Sequence, residues 1–331
     1  MSLGNADKHS LKEKLTQAAK HCFEGIEIFF PDLEALAKEQ PGGLTPENQL
    51  KAAGIIRQIC DENHLEVVSL QPFMFYDGLL SVEQHNNQLD KLRFWFKLVK
   101  VLRTDMISIP SNTMQAGIIQ DVSKVVQDMT EVAEMGLAEK PMVKFAYENL
   151  AWSSVNDTWE GIWEVVQKTN RINFGMILDT FNIAGRLWAD PATPSGKPPT
   201  ADEDLKASLA RLVQSVDVNK VFYVQVIDGE KMQQPLVKGH PFHVDGHPSR
   251  MDWSRNARLF PLEEDRGAYL PVVPITQAIV RCAPDGLGYK GWVSLELFSR
   301  STQEEDKSVL QQHAQRGSEA WKKLSARLNC E

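Results

Sequence analysis

Cysteine is scarce and scattered in this chain. Cys22, Cys60, Cys282 and Cys330 form no CxxC and no paired spacing, which argues against a disulfide framework or a cysteine-held zinc site and suits a reducing compartment. No apolar run approaches the roughly 18–20 residues that span a bilayer. The opening MSLGNADKHS lacks the apolar core of a secretory leader. Positive charge is in deficit: 36 Lys and Arg face 44 Asp and Glu, a net charge of −8. A broad basic face for nucleic acid is therefore not expected. No HExxH is present for a zincin, and no GxGxxG follows the first strand-like run for a dinucleotide. These absences leave the expectation of a soluble, cytoplasmic protein with no nucleic-acid and no membrane partner. A homo-oligomer is compatible with the sequence.

What is present is a rhythm. The 331 residues are 42% hydrophobic, enough for one large α/β core or two smaller ones. Strand-like runs fall at Gly25–Phe30, Glu66–Gln71, Met106–Pro110, Val143–Glu148, Phe174–Asp179, Val221–Ile227 and Gly291–Leu297. Helical periodicity marks Leu11–Cys22, Pro46–Glu62, His85–Leu102, Ile118–Met135, Trp159–Lys168, Ala201–Val216, Ile275–Cys282 and Lys307–Leu328. Strict alternation predicts a parallel sheet with helices outside it. This many units predicts a (β/α)8 TIM barrel, with an open doubly wound sheet as the runner-up. One strand is short: before the first helix there is only Met1–Gly4, so the first strand is either a remnant or the sheet is not closed. A long gap at 228–270, rich in Gly, Pro, Asp and Arg, reads as an ordered lid, because Phe242, Met251, Trp253, Leu259 and Phe260 give it something to pack with.

Polar residues stand where such runs end. Glu148 closes VKFAYE, Asp179 closes FGMILD, Gln225 lies in VFYVQVI and Glu296 lies late in GWVSLELF. In a barrel these consecutive strands are neighbours, and their carboxyl ends meet at the rim that carries active sites. Taken singly, each acid is more simply a helix cap or a salt-bridge partner. Three carboxylates and an amide oxygen together need a counter-charge. A hard divalent ion such as Mg²⁺ or Mn²⁺ is the simple answer, since Zn²⁺ favours His and Cys.

The segments FAYENLAW (145–152), ILDTFNIAGR (177–186), VFYVQVIDGE (221–230), RMDWSRNARLFP (250–261) and GWVSLELFSR (291–300) together resemble the fungal 3-dehydroshikimate dehydratases. GIEIFFPDLE (25–34), SLQPFMFYDGL (69–79) and MISIPSN (106–112) fit the same pattern, so the resemblance spans nearly the whole chain. It implies a single xylose-isomerase-like TIM-barrel domain over 1–331, with the long lid loop at 228–270. It further implies one divalent metal ion (Mg²⁺, Mn²⁺ or Co²⁺) on Glu148, Asp179, Gln225 and Glu296, and a small-molecule substrate, 3-dehydroshikimate. The implied reaction is carbon–oxygen lysis to protocatechuate in quinate catabolism. The metal would act as a Lewis acid on the ketone while a base takes a ring proton and an acid assists the departing hydroxide.

On the matching motifs, Ser254 and Arg258 would meet the substrate carboxylate, Arg258 through a bidentate fork, while Arg255 reads as a surface salt bridge. Bacterial relatives tend to have a His three residues after the strand-end Asp. Asn182 stands there, and an amide can orient substrate but cannot be a base. His240, in the lid's GHPFH, is the substitute candidate beside a hydroxide held by the metal. His243 and His247 read as exposed. Glu27 lies at the same rim, as a support for the site or a substrate contact. Met74 replaces an Arg that bacterial relatives often carry. Family members also have an apolar strand before the SLG-like turn, which here begins at Met1; the expectation is a truncated or late-started chain with two unpaired sheet edges. A sugar or inositol isomerase, epimerase or dehydratase on the same barrel is the alternative activity. An endonuclease IV-like role and a non-catalytic relict barrel are the remaining ones.

Overall fold

The structure, a computed structural model, describes residues 1–328. Runs rich in Val, Ile, Phe and Tyr become short strands: β1 (Gly25–Phe29), β2 (Glu66–Gln71), β3 (Met106–Pro110), β4 (Lys144–Glu148), β5 (Phe174–Asp179) and β6 (Val221–Gln225). A two-residue ribbon follows, β7 (Asp228–Gly229) with β8 (Arg258–Leu259), and then β9 (Val293–Ser294). Seven strands form one sheet in the order β1-β2-β3-β4-β5-β6-β9, every neighbouring pair parallel. Helices cross between them, among them Pro46–Glu62, Val82–Leu102, Val122–Ala138 and Trp159–Thr169. Several start on side-chain caps: Thr45, Ser81, Asp121 and Thr158 each accept a backbone N–H of the first turn.

Alternation along the strands divides the side chains. Phe145, Tyr147, Phe174, Met176 and Leu178 belong to the large core between sheet and helices. Met106, Ala146, Ile177 and Tyr223 form a separate buried cluster. Ala146, Ile177 and Tyr223 each stand two residues before Glu148, Asp179 and Gln225, so they share a face with them and floor the barrel beneath the rim. Cα pairing places Asp179 opposite Gln225, and Gln225 opposite Ser294.

The barrel does not close. β1 and β9 are the two ends of the sheet order, and between them lies a cavity of about 380 Å³ bordered by Leu3, Gly25, Glu27, Trp292, Ser294 and Glu296. The sequence expectation of an open seam in place of a first strand is therefore what the structure has. The seam also accounts for the shrinkage of the expected strand at Gly291–Leu297 to Val293–Ser294: it has a ladder partner on one side only.

Three helices were not legible in the sequence: Phe30–Lys38, Thr180–Leu187 and Ser249–Ala257. The first two begin on the residue after a strand, so their first turns look like strand continuation. The third lies inside the gap at 228–270, which is packed structure. Trp253 and Phe260 are buried, the Trp253 indole donates to Glu230 O at 2.9 Å, and Arg250 donates to Gly185 O and Ala189 O. Gly229 is required here, because a Cβ would come within 2.5 Å of the Trp253 ring.

Candidate metal centre

Asp179 answers why an apolar strand ends on a charge. One carboxylate oxygen caps the helix Thr180–Leu187, accepting from Phe181 N at 2.6 Å and Asn182 N at 3.4 Å. The other oxygen faces the barrel mouth and accepts from Asn182 Nδ2 at 2.8 Å and Arg258 Nη1 at 3.1 Å. Cap and cluster member are thus two ends of one side chain. Glu148 and Glu296 join it, each with an oxygen within 4.8 Å of the others. All three are buried.

Burial first, then the charges of Glu296 and Asp179, raises the Glu148 carboxyl well above its ordinary range. Burial likewise raises Asp179 and pushes Glu296 up to about 8, and in both the Arg258 charge works in the opposite direction. Three buried carboxyls that resist ionising together are a site short of positive charge.

Arg258 supplies part of that charge. Its Nη1 donates to Asp179, to the Glu296 carboxylate at 3.0 Å and to Glu296 O at 3.3 Å. Its Nε donates to Ser254 Oγ at 3.0 Å. The guanidinium carbon lies 4.5 Å from the Phe181 ring centre and 5.2 Å from that of Phe298, and such contacts are worth about 2 kcal/mol when desolvated. The ribbon β7–β8 and the helix Ser249–Ala257 carry Arg258 and Ser254 here, so the segment at 228–270 builds a wall of the site.

Gln225, beside Asp179 in the ladder, is also buried. Its Nε2 donates to Glu27 at 3.0 and 3.2 Å, while its Oε1 is buried with no partner. A buried, unpartnered carbonyl oxygen is unfavourable by about 1–3 kcal/mol unless something completes it. Three carboxyls and this oxygen are an all-oxygen donor set that fits a hard divalent ion. A second acidic group, His85, Asp128 and Glu131, already has its cation, Lys124 Nζ at 2.5 Å from Asp128.

The structure thus brings Glu148, Asp179, Gln225, Glu296, Ser254, Arg258, Asn182 and Glu27 together. Asn182 is committed to protein partners: its Nδ2 bridges Glu148 at 2.9 Å and Asp179, and its Oδ1 accepts from Ala151 N at 3.1 Å. The sequence expectation is a substrate-orienting amide; here both amide hydrogens hold acids in place. His240 is not brought in. Its ring accepts from Phe242 N at 3.1 Å and packs on Phe242, while His243 and His247 pair with Asp245 and Asp252 of the same segment. Sequence reasoning missed Gln71, which donates to Glu296 at 2.8 Å, Tyr223, which donates to Glu27 at 2.9 Å, and Phe298. The first two had a signal: Gln71 ends its strand as Gln225 does, and Tyr223 shares the face of Gln225 two residues on.

Residues 15–323 match the family model described as a xylose isomerase-like TIM barrel. The chain is 47% identical to the 3-dehydroshikimate dehydratase of Neurospora crassa over 98% of its own length and 91% of that protein's. It is 26% identical to the Pseudomonas aeruginosa 3-dehydroshikimate dehydratase over 88% of its length, and spans 36% of that longer protein. In fold it is similar to the IOLI protein, solved with a bound zinc atom, at a TM-score of 0.68 and 16% identity, covering 97% of this chain and 95% of the other. The chain belongs to the xylose isomerase-like TIM-barrel family.

Proposed function

We propose that this chain dehydrates 3-dehydroshikimate to protocatechuate and water, with one divalent ion, Mg²⁺, Mn²⁺ or Co²⁺, held by Glu148, Asp179, Gln225 and Glu296. The observation that carries it is the convergence of three buried carboxyls beside Arg258, with the unpartnered oxygen of Gln225 on the strand next to Asp179, in a chain 47% identical to a fungal enzyme of that activity. Bound there, such an ion would supply Lewis-acid chemistry at the substrate ketone.

The chain's own residues do the rest of the positioning. Asn182 holds Glu148 and Asp179 in register, and Gln71 holds Glu296. Arg258 is the partner for the substrate carboxylate, a group that guanidinium matches as a fork. Ser254 fixes its Nε, and the rings of Phe181 and Phe298 keep its plane. Its Nη1 is engaged with Asp179 and Glu296, so substrate binding competes with those acids, and a second positive charge in the cluster favours the substrate. Loss of one proton and one hydroxide as water leaves a ring that aromatises. The test is direct: 3-dehydroshikimate is added to the metal-loaded chain and the absorbance of a catechol product is followed. No aromatic product from folded protein that has taken up metal would sink the reading.

A further inference from the structure

Gln225 differs from the three acids around it in having two unlike ends. A carboxylate offers oxygen whichever way it turns, but an amide offers oxygen one way and a donor the other. With its NH₂ toward the cluster, Gln225 would repel a cation instead of holding it. Something must choose the end, and the choice is made below the rim.

Glu27 lies beneath Gln225, at the middle of β1. Three donors converge on its carboxyl: Gln225 Nε2 at 3.0 and 3.2 Å, Tyr223 OH at 2.9 Å, and the Ser294 side chain. The Tyr223 oxygen in turn accepts from Ser69 Oγ at 3.4 Å. The chain Ser69, Tyr223, Glu27, Gln225 therefore ends on an acceptor. An acceptor filled by donors admits only the NH₂ end of Gln225, and the amide oxygen is left turned the other way, with no partner in the protein.

We propose that Glu27 is a positioning residue that fixes the Gln225 amide with its oxygen toward Glu148, Asp179 and Glu296, and so gives the site a neutral fourth ligand. The inference rests on the metal-centre reading above. It also explains an arrangement that is otherwise wasteful: a half-buried acid near an acid cluster, paired with no cation among the described residues. Without Glu27, the buried Tyr223 hydroxyl loses its acceptor. The Gln225 oxygen can then take that bond, and the amide turns its NH₂ to the cluster.

The test is Mn²⁺ affinity, read by electron paramagnetic resonance on wild type, Glu27→Leu, Gln225→Glu and the double variant, with the circular dichroism melt as a folding control. Glu27→Leu is expected to weaken Mn²⁺ binding on the order of 10–100-fold, as loss of a partner behind a ligand does. Gln225→Glu restores it in the Glu27→Leu background, because a carboxylate has no wrong end, and does not strengthen it in wild type, where it would face Glu27. Tyr223→Phe, which keeps the Glu27 to Gln225 bond, leaves affinity within a few-fold. If Glu27→Leu does not fold, Glu27→Gln serves: it can face Gln225 with either end, and a several-fold loss is expected. Wild-type affinity retained in a folded Glu27 variant, or a loss that Gln225→Glu does not reverse, overturns the role of Glu27. Wild type that binds no Mn²⁺ overturns the metal centre itself.

Discussion

Replacing Arg258 by Met is the sharpest stability experiment the site offers. Met keeps an unbranched stem between Phe181 and Phe298 and removes only the charge and its hydrogen bonds. Arg258 is 1% exposed, and its Nη1 is 3.1 Å from Asp179 and 3.0 Å from Glu296. Removing one partner of a buried pair commonly destabilises by about 3–5 kcal/mol, because the remaining charge is left uncompensated. For a chain of this size that is a fall in melting temperature on the order of 10 °C.

The pH dependence fixes the sign. Burial already raises Asp179, and raises Glu296 to about 8, against the pull of Arg258. Without the guanidinium both rise further. The folded variant then holds protons that the unfolded chain has released, so its stability falls as pH climbs above the unfolded carboxyl range. In metal-free protein the gap between wild type and variant is expected to be small near pH 5 and to reach its full size near pH 9. A saturating divalent ion replaces the missing charge and cuts the gap to about 1 kcal/mol or less. Urea denaturation at the two pH values, with and without Mn²⁺, measures all four quantities. A loss independent of both pH and metal would refute the claim that Arg258 is the counter-charge of this cluster.

Two further outcomes follow from the same geometry. Because burial raises Glu148 and Asp179 and pushes Glu296 up to about 8, metal binding near neutral pH should displace protons, and fewer as pH rises; calorimetry in buffers of different ionisation enthalpy reads it, and buffer-independent heats would contradict it. The seam should show in hydrogen exchange: amides of β1 and β9, which border it, should exchange faster than those of β4 and β5 inside the sheet, and equal protection would mean the edges are covered in solution.

Much of this was legible in the sequence because the relevant signals are local. Strand runs set off by turn residues, and acids at the ends of FAYE and FGMILD, are read from composition and spacing alone, and parallel pairing does the rest by placing Asp179 beside Gln225. What could not be read depends on contacts far apart in the chain. Asn182 looked like an empty place for a base, and its engagement with Glu148 needs β4 beside β5. Arg258 looked free for substrate, and only the fold brings it 79 residues back to Asp179. His240 is the opposite case: residue type suggests chemistry, while the bond seen at its ring is a local one to Phe242 N.

On this reading the four oxygen donors hold one divalent ion, and the ion is needed to dehydrate 3-dehydroshikimate. The most direct test follows catechol absorbance from 3-dehydroshikimate with purified chain before chelation, after chelation, and after a stoichiometric amount of Mn²⁺ is returned. The expected result is product formation that is abolished by chelation and restored by about one ion per chain, and that Glu148→Ala lacks along with the ion. Undiminished product formation by metal-free protein, or none by protein carrying its ion, would contradict the account.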